Sequence, residues 1–212
     1  MPRFADLTIA QFLDELASPN PTPGGGTAVA ISGGIAVSLL IMVAGLKKSK
    51  TNTEVERAAL GAAHRALAPV KRRLLELADA DTAAFNQVIA AYRLPKSTDQ
   101  EKNARKLAVQ KALRAATEAP LDTLRAMTDA LEHLPTIAQY GNPSASSDVR
   151  VALELFEASG AGAAANVEIN LTSLDDEAFK KSVAAHLLAL TNRIKESTAN
   201  TRAALVSGAP AT

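Results

Sequence analysis

Asp81 occupies the setting in this sequence that most calls for chemistry. Val70, Leu74, Leu77, Asp81, Phe85, Val88 and Tyr92 recur at helical spacing, which places a carboxylate inside an apolar stripe. An unpaired charge is costly to bury, so this group must be hydrogen-bonded, paired or kept neutral. Two roles fit: it bonds a buried helix end or a lysine, or it faces a cleft and handles a proton or a cationic substrate. Asp79, two residues away, points elsewhere on a helix. Gly24, Gly25 and Gly26 follow Pro19, Pro21 and Pro23. Backbone amides exposed at a helix start attract anions or polarised ligand oxygens, while the same glycines would also serve as a flexible hinge. Asn166 and Asn170 share a face with Ser159 and Ala163, and either line a polar cleft or bridge helices. Tyr140 to Asp148 is a dense polar loop in which Ser146 or Ser147 can cap a helix with Asp148 in its first turn; capping alone would explain this group. His64, His133 and His186 lack metal-ligand spacing, so no metal site is expected.

The elements that position these groups are all helical. Pro21 to Leu46 carries no charge, and Thr27 can cap a helix from Ala28 to about Leu46. Gly26, Ala30, Gly34 and Ser38 form a seam of small side chains along it, which admits a close neighbour. Such a helix suits the centre of a core or a membrane span, and Lys47, Lys48 and Lys50 just beyond it would suit a span. Its lack of an aromatic belt, and the apolar stripes elsewhere that need a partner helix, favour the core. A short first helix carries Ile9, Phe12, Leu13 and Leu16 after the capping box Thr8-Ile9-Ala10-Gln11. A second capping box, Thr53 to Glu56, opens a helical pattern to Tyr92 that Pro69 kinks or divides. A third, Thr98 to Glu101, starts a helix with an alanine face at Ala104, Ala108 and Ala112, decorated by Lys102, Arg105, Lys106 and Lys111 as a solvated surface. Pro120 breaks that helix or begins another. A last amphipathic helix begins near Ser173 and carries Phe179, Val183, Leu187, Leu190 and Ile194.

With 212 residues and no linker-like stretch, residues 1–206 read as a single all-α domain, a multi-helix bundle around the central apolar helix, and 207–212 as a flexible tail. Apolar residues make up 47% of the chain and aromatics only 3%, so the core is thin and suited to sharing with a second subunit. A net charge of +1 with interspersed signs gives no nucleic-acid footprint, and zero cysteines exclude disulfides and thiol catalysis. The N-terminus lacks an apolar signal core, which makes a cytoplasmic enzyme the expectation.

Five motifs in order carry a resemblance: P-T-P-G-G-G at 21–26, D-x-x-A-F-N from Asp81, L-P-K-x-T-x-x-E-K-x-x-R from Leu94, G-N-x-x-x-x-S-D from Gly141 and N-V-x-x-N from Asn166. In this order and spacing the chain resembles the cyclodeaminase/cyclohydrolase family of folate enzymes, which includes the C-terminal domain of formiminotransferase-cyclodeaminase and stand-alone methenyltetrahydrofolate cyclohydrolases. The resemblance implies an all-helical homodimer with a folate site near the subunit contact, and no cofactor beyond the tetrahydrofolate substrate. It implies hydrolysis of 5,10-methenyltetrahydrofolate to 10-formyltetrahydrofolate, with Asp81 stabilising the amidinium cation and taking the proton of water. Lys48 or Lys50 would polarise the adduct or hold the folate's acidic tail. Pro23, Gly24, Gly25, Gly26, Phe85, Asn142, Ser147, Asp148, Asn166 and Asn170 would contact the substrate.

One segment departs from the pattern. Where family members read N-L-T-x-G-K-K-K-Y, this chain reads G-L-K-K-S-K-T-N-T from Gly45 to Thr53, and only Lys50 keeps a basic residue in place. Two other activities therefore stand beside the hydrolase: loss of ammonia from 5-formiminotetrahydrofolate, which closes the same ring, and folate binding without turnover by a helical dimer. The absence of an attached formiminotransferase domain favours the hydrolase.

Overall fold

The computed structural model describes residues 3–46 and 53–207, so Lys47, Lys48 and Lys50 and, of the tail expected at 207–212, all but Ser207 lie outside the described residues. Among the described residues every regular element is helical: α1 (Ile9–Ala17), α2 (Gly25–Gly45), α3 (Glu54–Tyr92), α4 (Asp99–Leu131), α5 (Leu134–Tyr140), α6 (Ser146–Leu171) and α7 (Glu177–Ser207), with short 3-10 turns at Phe4–Asp6 and Pro143–Ala145. The all-α expectation holds.

The three capping boxes form as their sequences demand. Thr8, Thr53 and Thr98 each accept a hydrogen bond from the amide three residues on, and the side chains of Gln11, Glu56 and Glu101 each accept one from the cap's own amide. Burial in α2 follows from its composition. It packs mainly on α3 and α6 and also touches α4 and α5. Leu40 and Val37 lie in a core with Leu67, Leu74, Leu121, Met127, Leu153 and Phe156. The small-residue seam faces α3: a side chain at Gly34 would meet Leu74 and Leu75, and one at Gly26 would land on the Asp81 carboxylate. Length and composition alone would suit α2 to a membrane span. One side of it remains open, with Ile35 50% and Met42 38% exposed, so within one chain α2 is not enclosed on all sides.

Several boundaries differ from the sequence reading. α2 begins at Gly25 with Gly24 as its N-cap, so Thr27 is a buried first-turn residue and not the cap. Neither internal proline divides its helix. Pro69 lies on an exposed part of α3, where water can replace the hydrogen bond it removes. Pro120 is buried in α4 and needs a protein partner, described below. α6 starts at Ser146 behind the 3-10 turn, and its N-cap Ala145 makes no side-chain cap, so neither Ser146 nor Ser147 caps it. α7 starts at Glu177, where the Asp176 carboxylate accepts from the Phe179 amide.

Candidate functional site

The N-terminus of α2 and the middle of α3 meet at a single carboxylate. Asp81 is half-buried, and its side chain lies against Gly26, where any Cβ would displace it. Only glycine admits this approach, which brings a carboxyl group to the positive end of a 21-residue helix. The Thr27 hydroxyl lies 3.2 Å from Asp81 Oδ2, 3.1 Å from the Thr82 hydroxyl and 3.3 Å from the Ala78 carbonyl oxygen. A hydroxyl has one proton to donate. When Thr27 donates to Asp81, the Thr82 hydroxyl donates to Thr27, and the three side chains form a short chain ending on the carboxylate.

Burial raises the Asp81 pKa above the ordinary carboxylate value, and this outweighs the hydrogen bonds from the Thr27 hydroxyl and amide, which act to lower it. Among the described residues no lysine or arginine shifts the group; burial and Thr27 do, and the bond from the Thr27 amide is a contact with a helix start of the kind the structural role allows. A partly desolvated carboxylate with a raised pKa is a competent proton acceptor near neutrality and a counter-ion for a cation. Asp79, as expected, points away and accepts from the Phe4 amide at 2.9 Å.

The C-terminal half of α6 supplies the amides. Asn166 lies against Gly25, and its Nδ2 donates to the Gly162 carbonyl one turn back in its own helix. Asn170 Nδ2 donates to the Ala116 carbonyl of α4 at 2.8 Å. Pro120 explains that bond: lacking an N–H, it leaves the Ala116 carbonyl without its helical partner four residues on, and the asparagine replaces it. Of the two sequence readings, bridging helices describes Asn170. Phe85, one turn beyond Asp81, is 37% exposed. Pro23 is buried and joined to Thr22 by a cis peptide bond just ahead of the glycines.

The other expected residues lie elsewhere in the chain. Asn142 lines a cavity of about 330 Å³ with Val43, Ile137, Gly141, Pro143 and Ser146, at the C-terminal end of α2. Its side chain accepts from the Ser144 amide. From Gly26 to Val43 the helix rises roughly 25 Å, so within one chain Asn142 is not brought to Asp81. Ser147 is exposed and Asp148 half-buried in the same distal region. The sequence reading missed Thr82 and misassigned Thr27. A threonine one turn into a glycine-led helix is a weak signal on its own, and it gains meaning only once α3 is seen to cross there.

Comparison with known proteins gives a consistent grouping. The model of a family described as formiminotransferase-cyclodeaminase matches residues 8–189. The chain is similar to a methenyltetrahydrofolate cyclohydrolase from Methylorubrum extorquens, 40% identical over 172 residues covering 81% of this chain and 83% of that protein. It is 31% identical to a formimidoyltransferase-cyclodeaminase from Rattus norvegicus over 96% of this chain, and spans 37% of that longer protein. A crystal structure of a formiminotetrahydrofolate cyclodeaminase from Thermotoga maritima superimposes with a TM-score of 0.86 at 29% identity, covering 96% of this chain and 98% of that one.

Proposed function

The chain belongs to the formiminotransferase-cyclodeaminase family, and from that premise we propose that it hydrolyses 5,10-methenyltetrahydrofolate to 10-formyltetrahydrofolate. The observation that carries the assignment to a site is the Asp81 carboxylate, partly desolvated and held by Thr27 against the glycine start of α2. The substrate's one-carbon bridge is an amidinium cation. A carboxylate beside it attracts the cation and accepts a proton as water adds to the bridging carbon. The neutral hydroxy adduct then collapses. Its C–N5 bond breaks, N5 takes the proton held by Asp81, and the hydroxyl proton leaves to solvent as the formyl C=O forms on N10. One water is consumed and one proton released.

The free amides of Gly25 and Gly26 suit a pterin oxygen, and Phe85 offers a half-exposed ring one turn from the reacting carbon. No cofactor takes part, and the setting is cytoplasmic.

The functional unit is a homodimer. Two features of α2 support this: an uncharged exposed stripe running through Ile35 and Met42, and the location of the two groups of expected site residues at its opposite ends. Antiparallel pairing of α2 with its twin about a two-fold axis covers the stripe and sets the Asp81 end of one subunit beside the Asn142 end of the other. It also encloses α2, giving the central helix that one chain alone lacks.

The experiment is spectrophotometric loss of methenyltetrahydrofolate, corrected for spontaneous hydrolysis. Failure to accelerate that loss overturns the hydrolase reading. The similarity to the Thermotoga maritima cyclodeaminase favours ammonia loss from 5-formiminotetrahydrofolate as the second reading, which ammonia release would reveal. Folate binding with neither reaction would leave a non-catalytic helical dimer.

A further inference from the structure

Thr82 departs from the habit of the other buried threonines. Thr117, Thr123, Thr128, Thr198 and Thr201 each donate to a carbonyl three or four residues back in their own helix. The carbonyl four residues before Thr82 is that of Ala78, and the Thr27 hydroxyl reaches it from α2 at 3.3 Å. Among the described residues the Thr82 hydroxyl bonds to Thr27 alone, at 3.1 Å. Both threonines are buried, Thr27 completely.

These contacts fix the direction of the bonds. If Thr27 donated to Thr82, the Thr82 proton would be buried without an acceptor, which is the costly arrangement. Thr82 therefore donates to Thr27, and the Thr27 proton has two acceptors to choose between, the Ala78 carbonyl and Asp81 Oδ2 at 3.2 Å. A charged carboxylate is the stronger acceptor, so while Asp81 is ionised the chain runs from Thr82 through Thr27 to Oδ2. A hydroxyl that accepts one hydrogen bond donates the next more strongly. Removing the Thr82 donor thus weakens the bond on the carboxylate and frees the Thr27 hydroxyl to turn away.

We propose that Thr82 is a positioning residue for the reaction at Asp81: through Thr27 it aims a hydrogen bond at the carboxylate and holds that group oriented and ionised, ready for the proton of water. The proposal rests on the hydrolase reading of the site and adds a buried residue that acts only through Thr27. No proton travels along the threonines. It passes from water to Asp81 and from Asp81 to N5, as the carboxyl O–H bond forms and then breaks. A hydrogen bond to the charged form lowers a carboxyl pKa, so weakening it adds to the upward push of burial. Among the described residues only burial and Thr27 shift Asp81. α2 carries no charged residue, Asp79 of α3 accepts from the Phe4 amide, and Arg3 and Asp6 pair with each other. α6 brings the amide of Asn166 to Gly25, with Glu168 exposed.

Two readouts on the full chain test it, the first without substrate. With isotope-labelled aspartate carboxyls followed by NMR, the Asp81 resonance is identified by its loss in Asp81→Asn. It should titrate at higher pH in Thr82→Val than in the wild type, by on the order of half a pH unit, and Thr82→Ser should restore the wild-type midpoint. The acid limb of kcat/KM for methenyltetrahydrofolate should move up with it. At neutral pH kcat should fall by about three- to tenfold as the carboxylate loosens, with a smaller change in KM and recovery in Thr82→Ser. Thr82→Ala, which also lacks the donor, carries the same expectations where Thr82→Val fails to fold. An unchanged midpoint with a lowered melting temperature marks a merely structural residue and overturns the proposal. A lower midpoint also overturns it, because Thr82 would then be drawing the Thr27 proton away from Asp81. A raised midpoint in a protein that does not hydrolyse methenyltetrahydrofolate would remove the hydrolase reading and leave the hydroxyl chain standing.

Discussion

Replacing Asp81 by Asn separates catalysis from structure because burial disfavours the charged carboxylate in the folded protein. Asparagine keeps the shape and an oxygen that accepts from the Thr27 hydroxyl, and it removes the charge and the basic site. In the proposed acid–base role, the loss of the Asp81 carboxylate should lower turnover by roughly two to four orders of magnitude, which corresponds to about 2.7–5.5 kcal/mol of barrier. Part of the loss should appear in KM, since the carboxylate also attracts the ground-state cation, and the larger part in kcat. Stability should move the other way. Burial raises the Asp81 pKa in the folded protein, so the native state holds its proton more tightly than the unfolded chain does. Unfolding stability then falls as pH rises through the window between the ordinary carboxylate value, about 3.9, and the raised folded value. Above that window the penalty is fully present, and below it both states are protonated and it vanishes. The Asp81→Asn protein should therefore melt at or above the wild-type temperature at pH 7.5, with the gap closing as the pH is lowered toward 4. The acid limb of wild-type kcat/KM should likewise sit above the ordinary carboxylate range. Absorbance loss of methenyltetrahydrofolate and thermal melts on one preparation give both readouts. A folded Asp81→Asn protein with near-normal rate refutes the catalytic argument, and a melting temperature lowered by the equivalent of about 1–3 kcal/mol would mark a lost structural partner instead.

Neighbouring glycines should differ sharply. Gly26→Ala places a methyl group on the Asp81 carboxylate and should abolish turnover, whereas Gly25→Ala meets Asn166 only at 3.6 Å and should stay folded, both checked by rate and circular dichroism. Ile35→Glu puts a charge on the exposed stripe of α2 and should shift the light-scattering mass from two subunits to one, with activity falling in parallel; a mass of one subunit in the wild type would count against the dimer. Asn170→Leu should cost about 1–3 kcal/mol in urea unfolding by leaving the Ala116 carbonyl unpaired, and much less in a Pro120→Ala background, where an N–H returns to that carbonyl. An equal cost in both backgrounds would show that Asn170 does not compensate for the proline.

Helix identity was legible wherever local chemistry decides it. The three threonine-led capping boxes and the stripe from Val70 to Tyr92 act over one to a few turns, and each appears as read. What failed depends on distant partners. Thr27 has the chemistry of a cap, yet with Gly24 already in the cap position its hydroxyl is free to cross to Ala78, Asp81 and Thr82, more than fifty residues on. Pro69 and Pro120 look alike as breakers. Both are accommodated, the first by exposure and the second by an asparagine from α6 that no local window connects to it.

The same distinction governs the site. Asp81 stood out because an acid in an apolar stripe violates the periodicity around it, and the glycine that receives it stood out as part of a run. Asn142, Ser147 and Asp148 join them in the sequence motifs, but in a single chain α2 holds the two groups roughly 25 Å apart. Sequence order cannot reveal that separation, and the proposed two-fold axis through the uncharged face of α2 would remove it. The length of α2 would then fix where the site forms: one helix carries the carboxylate end of one site and the amide end of the next. A substitution at its middle, far from any reacting atom, should therefore disable both sites together by parting the subunits.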